Sequence, residues 1–200
     1  MSANQKLAVL ISGSGTNLQA ILDACASSEL QAQVVAVISN QADAFGLERA
    51  RRSDVPAIVK PKTKAQDRRV YDAELAHQVA LYQPDWVVLA GWMRILSAAF
   101  LNGFPNRVIN LHPALPGIFP GTHAIERAFQ AYRRGEIQHT GVMVHLVPDE
   151  GIDCGPVLAQ SIVPIQWDDT LETLETRIHA IEHRLLIDTL KQLVNSLERR

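Results

Sequence analysis

Asn110 and His112, one residue apart, are the pair whose types and spacing could do chemistry. They lie in Val108-Ile109-Asn110-Leu111-His112-Pro113, which reads as a short buried strand with a polar tip. Residues two apart in a strand point to the same face, so the amide and the imidazole share one side of a sheet while Leu111 packs on the other. Pro113 favours extended geometry at His112 and stops further pairing, which places the ring at the strand's exit. There the two side chains could hydrogen-bond an oxyanion and move a proton. An amide capping a turn beside a satisfied, partly buried histidine would also fit this tripeptide, so the rest of the chain must decide.

The elements that would position the pair follow from apolar patterning. Lys6 to Ile11, Val34 to Ile38, Pro56 to Val59 and Trp86 to Leu89 are short apolar runs suited to buried parallel strands. Helical spacing fills the gaps at Leu18 to Cys25, Phe45 to Arg52 and from Asp67, a capping residue, to Tyr82, with Val70, Leu75, Val79 and Tyr82 near one stripe. A brief helix from Ser97 leads into Val108 to Leu111. Ala124 to Arg134 is helical, and Thr140 to Val147 and Val157 to Ile165 are strands with no helix between them. Thr170 to Leu197 is a long amphipathic helix opened by a capping pattern at Asp169 and Thr170. This alternation predicts an α/β fold with a single doubly wound, mostly parallel, Rossmann-like sheet, an antiparallel edge and a long C-terminal helix. One domain over residues 1–200 is expected.

Ligands of such sheets bind beyond the carboxyl ends of the strands, and the unusual residues sit there. The first strand exits into Gly13-Ser14-Gly15-Thr16-Asn17, ahead of a helix N-terminus that suits a phosphate. A plain strand-to-helix turn is the other reading. As a dinucleotide fingerprint the loop is defective: Leu18 stands where a third glycine is due, and the second strand ends in Asn40 instead of an acid. The fourth strand exits into Gly91-Trp92-Met93-Arg94. Between the last two strands, Pro148-Asp149-Glu150-Gly151-Ile152-Asp153 gathers carboxylates. Asp149 and Glu150 read equally as a solvated turn, whereas Gly151, Gly155 and Pro156 shape the backbone around Asp153. A carboxylate near His112 would raise its pKa and suit it to general acid catalysis. His77 and His179 read as helix residues, and His123, His139 and His145 as structural.

Composition narrows the class. With 47% apolar and 20% charged residues and a net charge of −2, there is no electrostatic case for nucleic acid or a membrane surface. Cys25 and Cys154 form neither metal-type spacing nor a disulfide framework, which fits a reducing cytoplasm, and no metal is expected. No signal pattern and no membrane-length apolar run is found.

Five stretches occur in register: Ser12-Gly13-Ser14-Gly15-Thr16-Asn17-Leu18-Gln19, Leu89-Ala90-Gly91-Trp92-Met93-Arg94-Ile95-Leu96, Asn110-Leu111-His112-Pro113, Phe119-Pro120-Gly121-Thr122-His123 and Asp149-Glu150-Gly151-Ile152-Asp153-Cys154-Gly155-Pro156. Together they resemble the folate-dependent phosphoribosylglycinamide formyltransferases of purine biosynthesis, from about Lys6 to about Leu190. The resemblance implies transfer of a formyl group from 10-formyltetrahydrofolate, the co-substrate, to the glycinamide amine. It puts catalysis on Asn110, His112 and Asp153, and the ribonucleotide on Gly15, Thr16, Asn17, Leu18 and Glu182. Folate contacts fall on Arg68, on Met93, Arg94, Ile95 and Leu96, on Asn110, and on Asp149, Glu150, Gly151, Ile152 and Asp153. The implied partners are small molecules, with the protein a monomer or a homodimer. One departure stands out: the proline of Ala114-Leu115-Pro116-Gly117-Ile118 comes one place early, so this loop should follow its own path. Formyltetrahydrofolate hydrolase and methionyl-tRNA formyltransferase carry similar triads, usually with a further domain. An NAD-dependent oxidoreductase fits poorly. A non-catalytic nucleotide-binding module would leave the triad idle.

Overall fold

The computed structural model describes residues 4–197. Its elements, in chain order, are β1 (Gln5–Ile11), α1 (Thr16–Ala26), β2 (Ala32–Ser39), α2 (Phe45–Arg52), β3 (Ala57–Val59), α3 (Arg68–Ala80), β4 (Trp86–Leu89), α4 (Ala98–Leu101), β5 (Val108–His112), α5 (Ala124–Arg133), β6 (His139–Leu146), β7 (Val157–Pro164) and α6 (Leu171–Leu197). They build a seven-stranded sheet in the order β3-β2-β1-β4-β5-β6-β7. The first five strands run parallel, and β6 and β7 complete an antiparallel edge. The order reverses between β1 and β4, so the switch-point crevice opens beyond their carboxyl ends.

Both faces of the sheet are covered, which explains the unbroken apolar runs. Leu7, Val9 and Ile11 pack with α1 and α6, while Ala8 and Leu10 pack with α3 and α4. Each such fully buried leucine or isoleucine contributes about 1.5–3 kcal/mol relative to exposure. Leu111 lies in the first of these layers, which turns Asn110 and His112 towards the other face.

Asp67 caps α3 as expected, accepting from Arg69 N and Val70 N. The buried stripe of that helix runs through Tyr71, Leu75 and Val79, and Val70 is 54% exposed. Residues four apart line up along a helix, whereas Val70 is about 100° from Tyr71 and faces water. The start of α6 is held by Asp169, which accepts a forked pair from Arg177 at 2.6 and 2.7 Å. Thr170 and Thr173 cap each other's amides at 3.0 and 3.2 Å.

Candidate active site

The exits of β1, β2 and β4 are stitched together. Ser12 N donates to Gly91 O (3.0 Å), the Ser12 hydroxyl donates to Asn40 Oδ1 (2.6 Å), and Met93 N donates to Ser12 Oγ (2.8 Å). Beside them β5 ends in the expected pair, and the loop after β6 brings Asp153 to it. Asp153 Oδ2 lies 3.3 Å from His112 Nδ1 and accepts from Gly121 N at 2.7 Å. Its Oδ1 accepts from Asn110 Nδ2 at 3.0 Å. The sharp turn that delivers Asp153 needs Gly155, where a Cβ would sit 1.8 Å from Leu146 O. Asp153 itself is left-handed, with φ 50°, a strained conformation for aspartate.

His112 is 4% exposed. Its Nε2 lies 3.1 Å from Phe119 O, so both ring nitrogens face acceptors, and only the imidazolium satisfies both at once. Burial opposes that form. It is the largest influence and holds the ring below the ordinary histidine value, although Asp153's charge and Phe119's carbonyl pull the other way. The expected rise in pKa is therefore corrected: the carboxylate acts in that direction but desolvation outweighs it. For Asp153, burial pushes the pKa up, but the His145 ring in its protonated form, 3.5 Å from Oδ1, the Gly121 amide and the charge of His112 hold it below the usual carboxylate range.

His145, read from sequence as structural, belongs to the site. It is 2% exposed and pairs directly across β5–β6 with Asn110. Its Nδ1 donates to Leu146 O at 2.8 Å, which leaves Nε2 as an acceptor for Asn110 Nδ2 at 3.1 Å. With Asp153 on the other amide proton, Asn110's orientation is fixed from two sides. The strand register was the only signal that could have found it.

These groups line a cavity of about 640 Å³ with Arg68, Met93, Arg94, Ile95, Leu96, Asp149, Gly151 and Ile152. Ten of the eleven positions assigned to folate by resemblance, Asn110 and Asp153 among them, line this cavity. Glu150 stands behind that wall: it is ion-paired with Arg68, and its Oε1 accepts from Ala98 N at 3.0 Å. It thereby ties the carboxylate loop to the start of α4. Met93, Ile95 and Ile152 are 65%, 41% and 47% exposed and give the opening an apolar rim.

Gly15, Thr16, Asn17 and Leu18 lie outside that lining, at the N-terminus of α1. Gly15 caps the helix at φ 72°, without a side-chain cap, and a Cβ there would sit 2.7 Å from Gly46 Cα. The first helical bond runs from Gln19 N to Gly15 O, so the amides of residues 16–18 precede the ladder. Leu18 buries its side chain fully and can offer only its backbone. Glu182 is 4% exposed on α6 and contacts His179 Nδ1 at 2.7 Å; it too lies outside the lining.

Among the described residues, no group of three or more His, Cys, Asp or Glu side chains is placed to hold a metal ion, and no helix is long and apolar enough to cross a membrane.

A doubly wound sheet with an Asn-x-His pair at one exit and an aspartate delivered from a far loop defines a class, and the comparisons agree with it. A model of the formyl transferase family matches residues 5–190, and the chain belongs to that family. Within it, the chain is 46% identical to the phosphoribosylglycinamide formyltransferase of Dictyostelium discoideum, over 94% of this chain and 97% of that protein. It is 47% identical to the Schizosaccharomyces pombe enzyme of the same name, over 94% and 96%. The crystal structure of glycinamide ribonucleotide transformylase 1 from Symbiobacterium toebii superposes with a TM-score of 0.91 at 42% identity, covering 98% of this chain and 90% of that one.

Proposed function

We propose that the protein transfers the formyl group of 10-formyltetrahydrofolate to the amine of phosphoribosylglycinamide, giving the N-formyl product and tetrahydrofolate. The observation that carries this reading is the Asn110–His112–Asp153 cluster in the wall of an apolar-rimmed cavity, in a chain 46% and 47% identical to two named phosphoribosylglycinamide formyltransferases over nearly their whole lengths.

The amine nitrogen attacks the formyl carbon, and the carbonyl electron pair moves onto oxygen. Asn110 offers that oxygen one of the two N–H bonds it otherwise gives to Asp153 and His145, an interaction that strengthens as charge develops. The attacking nitrogen gains positive charge and releases a proton. His112, neutral at the outset because burial lowers its pKa, keeps its Nδ1 hydrogen towards Asp153 and takes the proton up on the Nε2 lone pair. Asp153 and the Phe119 carbonyl then satisfy the imidazolium. His112 passes the proton to the departing folate nitrogen, the carbon–nitrogen bond breaks, and the carbonyl re-forms. No covalent enzyme intermediate is needed.

Arg68, Met93 to Leu96 and Asp149 to Asp153 would hold the folate. The amides of Gly15 to Leu18 would hold the phosphate, and Glu182 would contact the ribonucleotide. Gly15→Ala tests the anchor. Left-handed strain and collision with Gly46 should displace the amides and raise KM for the ribonucleotide roughly tenfold, a loss of about 1.4 kcal/mol. KM for folate should hold, and initial-rate kinetics with each substrate varied separate the two. Two free cysteines support a reducing, cytoplasmic setting.

The function is tested by initial rates of tetrahydrofolate release with and without phosphoribosylglycinamide. Release that depends on the ribonucleotide is expected. Release at the same rate without it would make the protein a hydrolase, and no release under either condition would make it a binding module.

A further inference from the structure

We propose that Arg127 is a positioning residue for His112, acting through the backbone of the Phe119–Gly121 segment; this rests on reading His112 as the proton-transfer group. That segment touches both members of the dyad. Phe119 O faces His112 Nε2 at 3.1 Å, and Gly121 N donates to Asp153 Oδ2 at 2.7 Å.

The segment does not hold this shape by itself. Phe119 is left-handed at φ 48°, and Gly117 and Gly121 have φ 79° and 80°. A side chain of Phe119's size rarely adopts that conformation without outside support. The support comes from α5. Arg127 Nη2 donates to Phe119 O at 2.8 Å and to Pro120 O at 2.6 Å, and its guanidinium carbon lies 5.9 Å from the Phe119 ring centroid. Among the described residues no carboxylate is within ion-pairing distance of Arg127; its hydrogen-bond partners are carbonyl oxygens, including a longer contact to His123 O at 3.4 Å. Its base is rigid, because Ala124, Ile125, Ala128 and Ala131 bury the inner face of α5.

The Phe119 carbonyl thus gives one lone pair to Arg127 and holds the other towards His112 Nε2, ready for the imidazolium. Charge-assisted bonds from the planar fork fix its direction, and with it the plane of the imidazole. This clamp secures the same loop whose early Pro116 departs from the usual run.

The test compares Arg127→Ala with the parent protein. The variant should lose roughly 10- to 100-fold in kcat through misorientation, with KM for both substrates little changed and the melting temperature retained. Guanidinium at tens of millimolar should restore part of the lost kcat, while sodium chloride at equal ionic strength should not. Arg127→Lys, which keeps the charge without the fork, should fall between the two. In histidine-labelled protein, the His112 ring nitrogen resonances should move in Arg127→Ala and move back with guanidinium. Unchanged kcat with unmoved His112 resonances would overturn the assignment. So would a loss of kcat that guanidinium does not rescue and that accompanies a lowered melting temperature. Because the resonances are read without turnover, they still test the clamp if the parent protein proves not to transfer formyl groups.

Discussion

His112→Ala should lower kcat by roughly 100- to 10,000-fold, the range for loss of a positioned proton-transfer group. Folate binding should survive, because the cavity is held by other elements. Arg68 and the 93–96 turn keep their places, and Glu150 stays tied to Arg68 and to Ala98 N. The variant leaves Asp153 with Asn110 Nδ2 and Gly121 N as hydrogen-bond donors, so the turn that delivers it need not collapse. Single-turnover kinetics and folate binding by fluorescence separate chemistry from affinity. A variant with near-normal turnover would remove His112 from the mechanism.

Asp153→Asn is the second large effect, for a different reason. The carboxylate presents two acceptor oxygens, one to the Asn110 amide and one to the Gly121 N–H and His112 Nδ1. An asparagine keeps one oxygen. Whichever way it turns, its NH2 meets a donor, and one buried polar group loses its partner at about 1–3 kcal/mol. The charge that stabilises imidazolium is also lost. Turnover should fall roughly 100-fold or more. The sign at His112 is fixed: Asp153 raises the ring's pKa against burial, so removing its charge lowers the midpoint further. Titration of the ring by NMR should give a midpoint below the ordinary 6.5 in the parent protein and a lower one in Asp153→Asn. A midpoint that rises in the variant would contradict this account of the dyad.

Much of this was legible in the chain because local patterns and the fold agree. Apolar runs marked the strands, and glycines marked their exits. The alternation within Asn110-Leu111-His112 placed amide and imidazole on one face, with Leu111 in the opposite layer. Gly151, Gly155 and Pro156 set Asp153 apart from Asp149 and Glu150, as the collision of any side chain at Gly155 with Leu146 O bears out.

The remainder depended on tertiary contacts with no local trace. His145 meets Asn110 through an antiparallel register across 35 residues, and nothing around it in sequence announces that pairing. Arg127 looks like any helix arginine until the 113–123 loop folds back on it. The pKa of His112 turned on burial, which the presence of a nearby carboxylate does not predict. Val70 shows the same limit on a smaller scale, since a residue beside a helical stripe can belong to water.

The central claim is that one formyl group passes directly from folate to the ribonucleotide amine within the site at His112. The most direct measurement follows the carbon: 10-formyltetrahydrofolate labelled in its formyl group is turned over with phosphoribosylglycinamide, and the label is located by NMR. All of the label is expected in the new amide, with one tetrahydrofolate released per amide formed. Label appearing as free formate would contradict the account.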